Sequence, residues 1–403
     1  MTTTKLYHEN AYIKEFNANI IQASPLPNNR WAVILDRTAF YPESGGQPFD
    51  LGYIDDLAVI EVQEDGENVV HILEAEPITR SVQGRINWER RFDHMQQHSG
   101  QHILSGAFYS ILKANTVGFH LGKESSQIDL DIEFLTPENL ESVEIAANQV
   151  VIQAQAVHTH WLNQSNLQNF PLRKPPAKDF SEIRLVEIAN FDYSACCGTH
   201  VANTGEIGCI KILSWERKKN GVRVDFVCGW RGLADYQQKN TILHQLASCL
   251  SLPIPNVLNG VEKQLQKLET TTKELALLKQ ELHRNLAVTL YQQGEVINHH
   301  KLIVHTLTDA SPNEVNYIAK ELSSNPYTIA LIAGVNQEQT KVHLVFSASS
   351  DVALHMGQEV KKILPLLDGK GGGNEQSAQG GGSNIGELPA ALTLARENIR
   401  KQL

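Results

Sequence analysis

His98-Ser99-Gly100-Gln101-His102 sets two imidazoles four residues apart. At about 3.6 residues per turn, that interval places both side chains on one helix face, one turn above the other. Phe92, Met95, Ile103, Leu104 and Phe108 supply an apolar surround, so Asp93 through Ile111 is expected to be a helix. A second pair, Cys196 and His200 in Cys196-Cys197-Gly198-Thr199-His200, repeats the interval far downstream. His98, His102, Cys196 and His200 together are a donor set suited to tetrahedral Zn2+. A histidine pair alone is more often packed or solvated. Two such pairs in one chain, each beside small residues that admit another backbone, favour a metal. Ser99 stands where HExxH peptidases place Glu, which argues against a peptidase. From the residues alone, the metal's role, structural or catalytic, is open.

A length of 403 residues implies about two to four domains. No apolar run approaches the ~18 residues of a membrane span, and Met1-Thr2-Thr3-Thr4-Lys5 lacks an apolar secretory core. A cytoplasmic protein without membrane partners is therefore expected. Five cysteines, two of them adjacent, do not resemble a disulfide framework, and Cys209, Cys228 and Cys249 are expected in the core. The net charge of −10 excludes a general nucleic-acid coat but not a specific RNA bound through local basic patches. Arg85 with Arg90-Arg91, and Arg217-Lys218-Lys219 with Arg223, are the candidate patches.

The fold class expected is α+β. Residues 1–90 alternate short β-rich runs with turns and predict a small β-barrel. Within them, Gly45-Gly46-Gln47 can bring backbone and an amide close to a ligand, although by itself a plain turn between strands explains it better. Residues 91–240 read as an α+β metal-binding domain. Its second helix starts at Thr136-Pro137 and runs to about Ala156, with Asn139 where a capping box prefers Glu or Gln. Residues 255–295 carry Val261, Leu265, Leu268, Leu275, Leu282 and Leu286 at heptad-like spacing, a coiled-coil-like helix that, like the C-terminal domain, is a candidate homodimer strut. Residues 300–403 read as a small α/β domain with helices at Pro312–Leu322 and Val352–Leu364. Its glycine-rich run, with Lys370, Gly371, Gly372 and Gly373, is read as a loop whose backbone N–H groups approach phosphates.

Three motifs in order resemble the editing domain of alanyl-tRNA synthetase: Thr38 to Gly52 as TxFYxExGGQxxDxG, His98 to His102 as HxxxH, and Cys196 to His200 as CxGTH. With no aminoacylation domain in front, the chain is similar to the free-standing AlaX-type editing proteins, and its C-terminal part to the DHHA1 domain of the long forms. Cys197 departs from the usual CGGTH. The resemblance implies one zinc per chain on His98, His102, Cys196 and His200, and ATP-independent hydrolysis of Ser-tRNA(Ala), with Gly-tRNA(Ala) a second candidate. It also implies tRNA(Ala) as partner, contacted by Gly45, Gly46 and the glycine-rich run.

An aminoacyl ester needs a positioned water, a polarised carbonyl and an anchor for the amino group. Four protein donors close the zinc shell, which favours an orienting role. Thr38, Gln47 and Gln101 are the candidates to meet the serine hydroxyl, whose absence from alanine would then give discrimination. The alternative is a non-catalytic, zinc-stapled tRNA-binding protein. A DHH-type phosphoesterase lacks its acidic metal motifs.

Overall fold

The computed structural model describes residues 2–163, 165–173, 182–336 and 341–403, and the chain divides into two compact units, Met1–Leu246 and Ala247–Leu403. In the first, six strands close a barrel: β1 (Glu15–Leu26), β2 (Arg30–Leu35), β3 (Gly52–Ile54), β4 (Leu57–Asp65), β5 (Asn68–Leu73) and β6 (Ser81–Ile86). The order is β1-β2-β5-β4-β3-β6, and β6 pairs back onto β1. Val33, Leu35, Phe40, Val62, Val69 and Leu73 fill the interior. The closing pair is β1 with β6. Its inward positions include Ala18 and Gly84, because the Phe16 ring lies 2.3 Å from where a Gly84 Cβ would stand.

Helix α1 (Trp88–Leu112) follows the barrel and starts five residues before Asp93, because the Asn87 side chain caps it by accepting from Arg90 N at 3.1 Å. From His94 to Phe108 every residue is buried, so α1 is the axis of this unit. Around it lie β7 (Thr116–Leu121), β8 (Ser126–Leu130), α2 (Pro137–Ile152), β9 (Val157–Leu162), β10 (Ile183–Ile188), β11 (Asp192–Ala195), β12 (Ile210–Lys218) and β13 (Gly221–Cys228). These strands form an antiparallel sheet in the order β12-β13-β8-β7 and a second in the order β9-β10-β11.

Asn139 does complete the capping box of α2: Thr136 N donates to its Oδ1, and Asn139 N to Thr136 Oγ1, both at 3.2 Å. The helix stops at Ile152 rather than near Ala156, since Ala154 turns to φ +50° and Ala156 bridges to Asn203. Helix α3 (Gly229–Leu250) then follows β13.

Two surface expectations need correction. Arg91 is fully buried in an ion pair with Asp50 and belongs to no surface patch, while Arg223 is paired with Asp129. Cys228 is buried, Cys209 is half-buried, and Cys249 is exposed rather than in the core.

The second unit opens with α4 (Val257–Gln293), 37 residues and ~55 Å long at ~1.5 Å per residue. Only Val257, Gly260, Ala287 and Leu290 on it are buried, and the seam residues Leu265, Leu268, Leu275 and Leu282 stand exposed. After it come β14 (Glu295–Ile297), β15 (His300–Thr308), α5 (Pro312–Ser323), β16 (Thr328–Asn336), β17 (Lys341–Ala348), α6 (Met356–Ile363), β18 (Lys370–Gly373), β19 (Ser377–Gly382) and α7 (Leu388–Arg400). One six-stranded sheet results, in the order β14-β15-β16-β17-β19-β18.

The glycine-rich run is thus a hairpin at a sheet edge, not a loop. Its glycines serve packing, because a Cβ on Gly382 would meet Leu367 O at 2.0 Å and one on Gly373 would meet Ser377 O at 2.2 Å. Gly372 has no atom nearer than Lys361 Cε at 3.7 Å. The helix expected from Val352 begins at Met356, after His355 caps it. Among the described residues, no helix is long and apolar enough to cross a membrane.

Candidate metal centre

Helix α1 carries His98 and His102 one turn apart, and the loop leaving β11 carries Cys196 and His200. Their ligand atoms all lie within 4.8 Å of one another, the only such His/Cys/Asp/Glu group among the described residues. Cys196 Sγ is 3.3 Å from His98 Nε2 and 3.4 Å from His200 Nε2. Tetrahedral bonds of ~2.3 Å to sulfur and ~2.0 Å to nitrogen impose ligand separations of roughly 3.3–3.7 Å. The four residues therefore fit a metal ion by both chemistry and spacing. Cys197, exposed and outside the group, is not the converging thiol.

Side chains behind the ligands fix which nitrogen each imidazole presents. His98 Nδ1 donates to Gln47 Oε1 at 2.8 Å, leaving Nε2 free toward Cys196. Gln47 is held in turn by Thr199, whose N–H donates to the same Oε1 at 3.1 Å and whose hydroxyl accepts from Gln47 Nε2 at 2.8 Å. His200 Nδ1 lies 3.2 Å from Ser99 Oγ, which also accepts from Val201 N. His102 Nδ1 faces Asp192 Oδ2 at 3.9 Å, beyond hydrogen-bond reach. Arg184, on β10, clamps the ligand loop by donating to Cys196 O at 2.8 Å and Gly198 O at 2.9 Å.

Charge is arranged to match. Burial by itself would raise the Cys196 thiol, but the His98 and His200 imidazoles outweigh it and hold the thiol well below its ordinary range. Burial pushes His200 down to about 3, against the pull of the Cys196 thiolate. Burial opposes a charge on His102 as well, yet the Asp192 carboxylate and the Cys196 thiolate raise it to about 9. The Cys196 thiolate is the protonation state a metal ligand needs, whereas His102 has to give up a proton when a metal binds.

Gly45 and Gly46 take φ +59° and +83°, a turn that L side chains resist, closed by reciprocal backbone bonds between Ser44 and Gln47. A Cβ on Gly46 would come within 2.6 Å of Phe119 O. The glycine pair thus presses the loop onto β7 and delivers Gln47 to His98. Gly198 approaches as tightly, since its Cβ would stand 2.2 Å from His98 Cε1.

A cavity of about 550 Å³ opens over the group, lined by His98, His102, Cys196, Gly45, Gln101 and Trp161 among others. Gln101 donates to Ser105 Oγ at 2.8 Å, and its Oε1 has no partner among the described residues. Gln47 lies wholly buried behind the ligands and does not line the cavity. Thr38 is also away from the cavity: its hydroxyl bonds His71 Nε2 at 2.8 Å and accepts from Phe40 N at 3.1 Å. The polar atoms of Thr38 and Gln47, both expected to meet a substrate hydroxyl, are here bonded to neighbouring residues of the chain. Lys370 and Gly371–Gly373 lie in the second unit, on edge strand β18. Ser99 and Thr199 sit inside motifs already singled out, whereas Asp192 and Arg184 have no local sequence signal.

Three family models match the chain: "tRNA synthetases class II (A)" over residues 2–90, "Threonyl and Alanyl tRNA synthetase second additional domain" over residues 183–223, and "DHHA1 domain" over residues 299–401. An alanine–tRNA ligase from Methanoregula boonei is 35% identical over 98% of the chain, but the chain spans only 43% of that ligase. Two relatives match end to end. The alanyl-tRNA editing protein AlaX-L of Pyrococcus horikoshii is 29% identical over 93% of this chain and 94% of its own length. The alanyl-tRNA editing protein Aarsd1 of Mus musculus is 29% identical over 98% of each chain.

Proposed function

We propose that this chain is an alanyl-tRNA editing protein that hydrolyses the ester of tRNA(Ala) mischarged with serine, with glycine as a second substrate; the matches to editing-domain models and to two editing proteins over nearly their whole length support this. The observation that carries this reading is the convergence of His98, His102, Cys196 and His200 beneath a cavity of about 550 Å³. That volume suits an aminoacylated terminal nucleoside, within the ~300–1,000 Å³ of small-ligand sites.

Those four residues would hold one zinc ion, which when bound supplies a Lewis-acid centre to orient or polarise the ester. Gln47 and Ser99 keep His98 and His200 in the ligating tautomers, and Asp192 stands against His102. Gln101 offers an unpartnered Oε1 in the cavity wall, so it is the residue we assign to the serine hydroxyl. Alanine would leave that acceptor unpaired, at a cost of ~1–3 kcal/mol. Water positioned by backbone groups and the ribose hydroxyl attacks the carbonyl, releasing free serine and the tRNA 3′ hydroxyl. Residues 1–90 and 91–240 would form the editing module. The 300–403 domain, through Lys370 and Gly371–Gly373, would grip the tRNA, and the seam of α4 would pair with a second copy.

The test is deacylation of Ser-, Gly- and Ala-tRNA(Ala) by the wild type and Cys196→Ala, with bound zinc quantified in both. Loss of serine alone, abolished together with zinc in the variant, supports the reading. Tight tRNA binding with every ester intact would instead establish a zinc-stapled binding protein.

A further inference from the structure

A second cavity, about 790 Å³, lies along the same helix. It is lined by Arg90, His94, Lys123, Trp230, Arg231 and Pro48, with Glu89 and Asp93 as its carboxylates. Both cavities border the same three elements. The ester cavity meets α1 at His98, the Gly45 turn and β7 at Phe119, while the second meets α1 at His94, Pro48 just after that turn, and Gly122 just after β7. His94 and His98 are one turn apart, ~6 Å of rise along α1, about the spacing between neighbouring phosphates of a single strand.

The lining combines an exposed aromatic ring with cationic side chains. Trp230 is 69% exposed and has no aromatic partner among the described residues, an open stacking face that folding itself does not use. Arg90 anchors Nε on Phe49 O at 3.0 Å with its guanidinium 5.8 Å from the Phe49 ring, and its two terminal nitrogens have no hydrogen-bond partner among the described residues. Neither Arg90 nor Lys123 has a carboxylate within ion-pair distance among those residues. Arg231, by contrast, is spent on Asp93 and Gly122 O, so it frames the wall rather than offering charge. His94 is 2% exposed, and neither of its ring nitrogens has a hydrogen-bond partner among the described residues. A stacking face beside cations that no carboxylate neutralises is the pattern of single-stranded nucleic-acid sites.

We infer that this cavity holds the nucleotide preceding the 3′-terminal adenosine of the substrate RNA, with its base on Trp230 and its phosphate between Arg90 and Lys123. The inference rests on the editing reading for the identity of the RNA, but its binding test does not depend on turnover. Trp230→Ala and Lys123→Glu change exposed side chains outside the metal group. Each is expected to raise KM for Ser-tRNA(Ala) about tenfold with kcat within about twofold, and to leave hydrolysis of 3′-O-seryl-adenosine unchanged. Binding of a fluorescent ACCA tetranucleotide should weaken by a similar factor in both. If no ester is hydrolysed but tetranucleotide binding still falls in both variants, the subsite stands and the editing reading fails. Unchanged tetranucleotide affinity and KM, or equal losses on seryl-adenosine and tRNA, would overturn the inference.

Discussion

Gln47 Oε1 and His98 Nδ1 lie 2.8 Å apart, so a barrel loop dictates the tautomer of a ligand on the central helix. Gln47→Ala removes that acceptor and Thr199's backbone partner together. Zinc affinity, measured by competition with a chromophoric chelator, should fall ~10–100-fold, with the fold retained by circular dichroism. Unchanged affinity would mean that His98 is oriented by other groups.

Gly198→Ala attacks the same ligand from the other side. Its Cβ would stand 2.2 Å from His98 Cε1, and neither the ring nor the clamped loop can give that distance. Zinc content by atomic absorption should drop well below one per chain. Cys197→Ala, in contrast, should keep full zinc, because only Cys196 points into the group.

The Asp50–Arg91 pair has no solvent access on either side chain, and Arg91 also donates to Ala11 O and Ala39 O. Arg91→Met leaves the Asp50 carboxylate buried and unpaired. Such losses cost ~3–5 kcal/mol, so urea unfolding should shift by that amount. A shift below ~1 kcal/mol would mean that the pair behaves as a surface contact.

Thr38→Val separates a structural role from a recognition role. Removing the hydroxyl strands His71 Nε2 and Phe40 N, costing ~1–3 kcal/mol of stability. Discrimination between Ser- and Ala-tRNA(Ala) should stay within about twofold of wild type, whereas Gln101→Leu should erode it by about tenfold or more. Reversal of these two results would return Thr38 to the substrate.

His71, wholly buried in the barrel, is pushed from 6.5 down to about 4 by burial. The unfolded chain therefore binds the proton more readily between those values. Stability from this group is fully present above pH 6.5 and is lost as pH falls toward 4. Unfolding free energies across that window should slope downward with acid and flatten in His71→Gln. An identical slope in the variant would assign the effect elsewhere.

Reading the chain alone singled out the four residues of the candidate metal group and much of the element order. Periodicity is local, so His98 and His102 could be placed on one helix face and Thr136 at a cap without knowing any neighbour. The motif around Cys196 and His200 supplied the other two members of the group for the same reason. Tertiary structure decided what no local pattern encodes. Strands β1 and β6 close the barrel around Phe16 and Gly84, whose complementarity exists only once the two pair. Glycines at 371–373 and 380–382 look like a loop in sequence, yet they line a hairpin because helix α6 and the segment after it press backbone against backbone. Gln47, Ser99 and Asp192 reach their histidines across the fold, and Thr38 turns away from the cavity, because the direction of a polar side chain is set by whichever partner burial brings within reach.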